Sequence, residues 1–378
     1  MTLNLAFTFP MSIWGSIMTA YERFVFQRLV SIVRSVLNPV VMVLLLVIGY
    51  KAVAMVVVTT IFNIVTLLIN WWYCKYRLDI KIRFAKFKWA FLKEVFIYSF
   101  WIFLNAIMDR IYWSTGQFIL GIYRGAVSIA VYAVAIQLQG MYMMFSTAIS
   151  GVFLPKVTAM VAKDNNKKEI SNLFIRIGRL QYVVMAFILT VFIVFGKSFI
   201  HLWAGEGYED AYYLCLMFFI PLTVPLIQNL GITILQARNQ MKFRSLLYIF
   251  IALASLILSI LLAKPFGTYG CAFATAFALL LGQVIIMNVY YQRRQQLDIV
   301  RFWKEIGKMS IVPIIFIIAG LFITNSSLFD SVSIVKFAGT GLLFTIIYSA
   351  AFWLFCMNKE EKNLFLVPIE KLRIRIKR

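Results

Sequence analysis

The sequence predicts an all-α integral membrane protein of about eleven transmembrane helices, and three observations carry that reading. Hydrophobic residues fill 62% of the 378 positions and charged residues 14%, whereas a soluble domain is nearer half apolar and a quarter charged. Apolar runs of about 20 residues, the length that crosses a bilayer as a helix, recur along the whole chain. The basic residues gather in alternate connections, as they do when loops fall on the two sides of a membrane. Short segments of alternating polarity do not recur, which argues against an outer-membrane barrel.

Taken in order, the runs cover roughly residues 1–20, 29–49, 52–73, 95–122, 127–150, 178–200, 212–235, 245–263, 268–290, 310–325 and 334–357. The even-numbered connections hold only Lys51, Arg124, Lys197, Lys264 and Lys336 of the 37 Lys and Arg residues. Arg110 lies deep inside a run, and the odd-numbered connections, with the run ends beside them and the tail, hold the rest. The positive-inside rule then places the odd connections and the C-terminal tail in the cytoplasm of a multi-pass protein of the cell membrane. By parity, residue 1 lies outside. This sidedness accounts for a net charge of +22 that in a soluble chain would suggest nucleic acid. Trp71-Trp72-Tyr73 at a run end reads as an interfacial belt. The basic and apolar tail from Lys371 to Arg378 suits the anionic inner leaflet.

Little in the chain suggests catalysis or metal binding. Cys74, Cys215, Cys271 and Cys356 are scattered, with no paired spacing, and His201 is the one histidine. The expectation is a protein that is not an enzyme, holds no metal and needs no cofactor, with coupling to a proton or sodium left open. The N-terminus lacks the basic n-region of a secretory signal. Glu206, Glu209 and Asp210 form an acidic loop whose plain reading is solvation.

An internal repeat divides the chain. Ala20–Arg28 matches Gln236–Arg244, Asn70–Lys75 matches Asn288–Arg293, and Arg83-Phe84 matches Arg301-Phe302, at an offset of 216 to 218 residues. Spans one to three therefore repeat as spans seven to nine, while spans four to six have no earlier counterpart. The expectation is a chain lacking about three helices at its front. Residues 1–80 form the remainder of a first lobe, 81–93 a cytoplasmic loop between lobes and 94–295 a second six-helix lobe. Residues 296–357 form two extra C-terminal helices and 358–378 a basic tail. Repeated lobes of this kind build transporters.

Several segments resemble oligosaccharide-lipid flippases of the multidrug/oligosaccharidyl-lipid/polysaccharide exporter superfamily. They are Pro10, Ala20-Tyr21-Glu22-Arg23-Phe24, Asn38-Pro39, Gln236-Ala237-Arg238-Asn239 with Lys242 and Arg244, Asn105 through Arg110, and Gly267-Thr-Tyr-Gly270. The resemblance runs from that family's fourth helix onward. It implies a two-lobe, MATE-like fold working by alternating access. The implied cargo is a polyprenyl-diphosphate-linked oligosaccharide repeat unit for capsule, exopolysaccharide or O-antigen-like polymers. Anionic membrane lipids, and the polymerase and glycosyltransferases of the same route, are the expected partners. A drug/cation antiporter or a peptidoglycan-precursor flippase of the superfamily is the nearest alternative. A membrane polymerase or ligase is the alternative of another class.

The sharpest local feature is Asn105-Ala-Ile-Met-Asp109-Arg110-Ile-Tyr112-Trp113, charged in mid-span, where a charge costs about 2.5–3.5 kcal/mol on insertion scales. Asn105, Asp109 and Tyr112 share one helix face and Arg110 and Gln117 the adjoining one. Arg110 would meet a diphosphate or an acidic sugar, since its planar fork suits phosphate oxygens. Asp109 would be its counter-ion or a cation or proton site. The plain alternative is a neutralised Asp109–Arg110 pair that pins helices. Arg34, five residues into the second run, either snorkels to the surface or faces a cavity. Gln137, Gln139, Gln228 and Asn229 either bind sugar hydroxyls or join helices. Arg23 and Arg28, with Arg238 and Arg244 as their repeat mates, flank the cytoplasmic mouth. Pro39, Pro221, Pro225 and Pro313 sit within runs and can kink them.

Overall fold

A chain embedded in hydrocarbon must satisfy its backbone polar groups internally, and each apolar run accordingly forms a helix. The computed structural model describes residues 2–49, 52–80, 89–163, 166–324 and 334–363, and no strand occurs among them. The helices are α1 Thr2–Ala20, α2 Phe24–Val47, α3 Ala52–Tyr76, α4 Trp89–Tyr123, α5 Ala126–Ser150, α6 Leu154–Lys163 and α7 Lys167–Ala204. They continue with α8 Asp210–Ile227, α9 Leu230–Ala237, α10 Met241–Leu279, α11 Met287–Arg293, α12 Ile299–Thr324 and α13 Ile334–Phe355. A π-helical stretch, Leu280–Ile286, joins α10 to α11. Among the described residues, nine helical segments are long and apolar enough to cross a membrane.

One of the nine, Met241–Arg293, is a hairpin. Gly267 breaks the helix at φ 57°, ψ −129°, a conformation open to glycine because it lacks a Cβ. A Cβ on Gly270 would overlap the backbone of Leu262, and one on Gly282 would overlap Ile251. The hydroxyls of Ser255 and Thr275 lie 3.4 Å apart. These pairs straddle residue 266 at widening separation, as the two arms of an antiparallel hairpin must. The nine, with this one counted twice, and the 19-residue α1 make eleven apolar segments, the number read from the sequence.

The chain divides into two compact units, Met1–Ala90 and Phe91–Arg378. In the first, α1 and α2 both pack on α3, around Trp14, Met18 and Cys74. In the second, α7 is central, with α5, α8, α12 and α13 against it. The two C-terminal helices thus belong to the second unit. Residues 81–88 and the basic tail 364–378 lie outside the described residues.

The repeat is written in the backbone at an offset of 217 residues. Among the described residues, the non-glycine residues with positive φ are Glu22, Asp79, Asn239 and Gln296, which form two pairs at that offset. After α1, Arg23 N–H donates to Met18 at 2.9 Å; after α9, Gln240 N–H donates to Leu235 at 2.8 Å. After α3, Ile80 N–H donates to Cys74 at 3.3 Å; after α11, Leu297 N–H donates to Tyr291 at 3.1 Å. Phe26 stacks on Tyr73 with ring centroids 4.0 Å apart, and Phe243 stacks on Tyr290 at 4.0 Å. This register corrects the repeat mates read from sequence. Gln240 is the counterpart of Arg23 and Ser245 that of Arg28, so Arg238 and Arg244 are not. Matching basic residues had shifted Arg28 by one position and Arg23 by two.

Several helices start earlier than their apolar runs, α2, α7 and α12 among them. α2 begins at Phe24, which places Arg34 about 15 Å into the helix at 1.5 Å per residue. Arg34 is therefore well inside the helix by residue count, and it is half-buried. α7 begins at Lys167, its first turn capped by the Asn166 side chain accepting from the Lys168 and Glu169 amides at 3.1 and 3.4 Å. α12 begins at Ile299, with Asp298 accepting from the Arg301 amide at 2.9 Å. Buried Ile170, Phe174 and Ile177, and buried Phe302, Ile306 and Met309, recur at three- and four-residue steps. Those stripes carry each helix past its apolar run.

Candidate functional site

On α10 the residues Met241, Arg244, Ser245, Tyr248, Ala252 and Ser255 are buried, spaced to share one helix face. Arg244 is 6% exposed, so it does not line an open mouth as its loop position suggested. Its helix face turns it inward, where α4 meets it. The guanidinium donates to Asn105 Oδ1 at 2.9 Å and to the Tyr248 hydroxyl at 3.4 Å. It also lies 4.8 Å from the Tyr248 ring centroid, a cation–π distance. Beside it sits Asp109, with the Trp113 indole and the Tyr248 hydroxyl in reach of its carboxylate. Tyr112, fully buried, donates to the Thr275 carbonyl of the hairpin's second arm.

The half-buried Asn105 and Asp109 and the buried Tyr112 and Arg244 therefore form one polar cluster inside the second unit. Arg244 Nε and Asn105 Nδ2 meet no protein acceptor among the described residues. Asp109 faces Arg244 and not Arg110, so the neutralised Asp109–Arg110 pair does not form. Successive helix residues are about 100° apart, and Arg110 points to the exposed side of α4. It lies about 20 Å, at 1.5 Å per residue, from the end of α4 at Tyr123. Among the described residues it makes no ion pair. Gln117 is half-buried on the same helix.

In the first unit, Arg34 donates to Asn63 Oδ1 at 3.2 Å, and Asn63 donates to the Thr8 hydroxyl at 2.8 Å. This polar chain crosses α2, α3 and α1. The only acidic residues in Met1–Ala90 are Glu22 and Asp79, both in connections between helices. No carboxylate within the helices of that unit offsets the charge of Arg34.

The amides of the second unit mostly bond to protein. Gln139 is buried and donates to the Met143 sulfur at 2.6 Å. Gln228 donates to Asn288 at 2.8 Å and Asn229 to the Ser146 hydroxyl at 3.3 Å. Ser146 in turn donates to the Leu226 carbonyl at 2.6 Å and accepts from Gln181 at 3.1 Å. Of these bonds, the one from Ser146 satisfies a backbone carbonyl where α8 gives way to α9. Gln137 is exposed, as are Arg23 and Arg28. Arg238 clamps the turn after α11 through the Gln295 carbonyl and amide oxygens at 3.0 and 2.9 Å. In the acidic loop, hydrogen bonds from its own and the Gly207 backbone hold the Glu209 carboxyl below the usual range.

Sequence reasoning missed one buried ionic group. Arg179, 7% exposed, donates to Glu361 at 2.7 and 3.0 Å and to Glu305 at 2.6 Å. Glu361 is 2% exposed and exchanges hydrogen bonds with Asn358, each 2.9 Å, as in a capping box. The partners are too far apart in sequence for any local pattern to reveal them. The signal available was Arg179 itself, next to Gly178 at the edge of an apolar run.

The fold and its buried polar groups define a multi-pass, all-helical membrane protein. A family model described as "Polysaccharide biosynthesis protein" matches residues 1–213, more than half of the chain, and the chain belongs to that family. No curated protein and no solved structure matches it.

Proposed function

We propose that the protein is a flippase that moves polyprenyl-diphosphate-linked oligosaccharide repeat units across the cytoplasmic membrane by alternating access. One observation carries the reading. Each compact unit holds a mid-helix arginine, Arg34 or Arg110, with no ion-pair partner among the described residues. A charge at that depth is costly unless it faces a polar space or an opposite charge, and a diphosphate supplies the opposite charge. Membership of a polysaccharide biosynthesis family makes a lipid-linked sugar diphosphate the fitting anion. The reading is transport and not catalysis, with Arg34 and Arg110 contacting the head group during translocation. The cluster of Asn105, Asp109, Tyr112 and Arg244 positions α4 against the hairpin.

The test uses a polymer-exporting host that depends on this protein. Arg34→Ala and Arg110→Ala are expected to insert at the normal level, abolish surface polymer and accumulate the lipid-linked repeat unit. Wild-type polymer from both variants would defeat the proposal.

A further inference from the structure

At one end of the second unit, α6, the first turns of α7, the start of α12 and residues 358–360 enclose a cavity of about 590 Å³. That volume falls within the range of small-ligand sites. Its floor is rigid, because Arg179 is held there by Glu305 and Glu361 and is 93% removed from solvent. The charges on its walls are unequally committed. Arg176 leans on Glu360 at 3.6 Å. Among the described residues, the Arg301 guanidinium donates only to the neutral Asn172 amide oxygen, at 2.9 Å, and Lys156 makes no ion pair. Two cations, one on α6 and one on α12, thus face a cavity whose floor is balanced, the Glu305 and Glu361 carboxylates against Arg179 and Lys308. Of the carboxylates on the walls, Glu305 and Glu360 are engaged. Glu169 sits in the first turn of α7, where the helix dipole favours it.

We infer that this cavity is a phosphate-binding site in which Lys156 and Arg301 hold the phosphate oxygens, separate from the membrane-embedded arginines. Arginine supplies a planar fork and lysine a point charge, the pair of donors that phosphate groups take. The Arg179 network fixes α7 to α12, so the helix that carries Arg301 is set before the ligand arrives and less ordering is left to binding. Lipid headgroups and soluble phosphates share this chemistry. The site lies among the basic connections, where an anionic headgroup would come within reach.

The experiment uses the full chain purified in detergent. Binding is measured by native mass spectrometry with phosphatidylglycerol and by calorimetry with inorganic phosphate. The Lys156→Gln/Arg301→Gln double variant leaves the Arg179 network intact. It should keep the ligand-free thermal midpoint and bind the responsive probe at least about tenfold more weakly, as expected for the loss of about 1.4 kcal/mol. A Lys197→Gln/Lys264→Gln variant, equal in charge change and remote in sequence, should bind as the wild type does. A response to phosphatidylglycerol alone identifies a lipid headgroup, and a response to both probes identifies the phosphate itself. Equal binding by the double variant and the wild type overturns the inference, as does failure of the wild type to bind either probe.

Discussion

Replacing Arg179 with methionine isolates the energetics of the C-terminal docking. The substitution leaves Glu361, 2% exposed, with a carboxylate that has lost hydrogen bonds of 2.7 and 3.0 Å. Its remaining donor is the Asn358 amide at 2.9 Å. Glu305 is less affected, since its side chain is 31% exposed and Lys308 lies 3.6 Å away. Breaking a buried pair from one side costs about 3–5 kcal/mol, because a buried charge is left uncompensated. Nearly all of that cost should arise at Glu361. A second change, Glu361→Met, removes the orphaned charge, and apolar replacement of a whole buried pair is often neutral or stabilising. The expected order of stability is Arg179→Met well below wild type, with the Arg179→Met/Glu361→Met double variant recovering most of the loss. Thermal unfolding of the purified chain, followed by size-exclusion monodispersity, reads that order. A single variant within about 1 kcal/mol of wild type would refute the reasoning. So would a double variant no more stable than the single one.

Gly270→Ala drives a Cβ into the Leu262 backbone; the hairpin arms must separate, and a loss of about 1–3 kcal/mol should appear as a lower unfolding midpoint. The sidedness read from the basic connections is tested by fusions after Arg378. Green fluorescent protein there should fluoresce and alkaline phosphatase should be inactive; active phosphatase would invert the topology.

The helices were legible because the bilayer imposes one solution on an apolar run of sufficient length. The break between the two arms of α10 was legible too, since Gly267 and Gly270 bracket the turn. Helix starts were less legible. α7 and α12 extend beyond their apolar runs on amphipathic stripes, and hydropathy registers only the apolar core of each. The candidate cluster was half legible. Asn105, Asp109 and Tyr112 stand out as polar residues in a span, and their shared face follows from helical spacing. Their partner Arg244 read as a loop residue, because one residue of register separates the exposed side of a first helical turn from the buried side.

By itself, the sequence determined an all-helical membrane protein with eleven apolar segments and an internal repeat, since hydropathy and periodicity are local properties of the chain. Only the tertiary structure decided which charges are compensated. Arg244 acquires Asn105 from a helix 139 residues away, and Arg179 acquires Glu361 from 182 residues away. Arg34 and Arg110 acquire no carboxylate among the described residues. Coulombic and hydrogen-bonding energies depend on separation in space, and helix packing, not sequence distance, sets that separation.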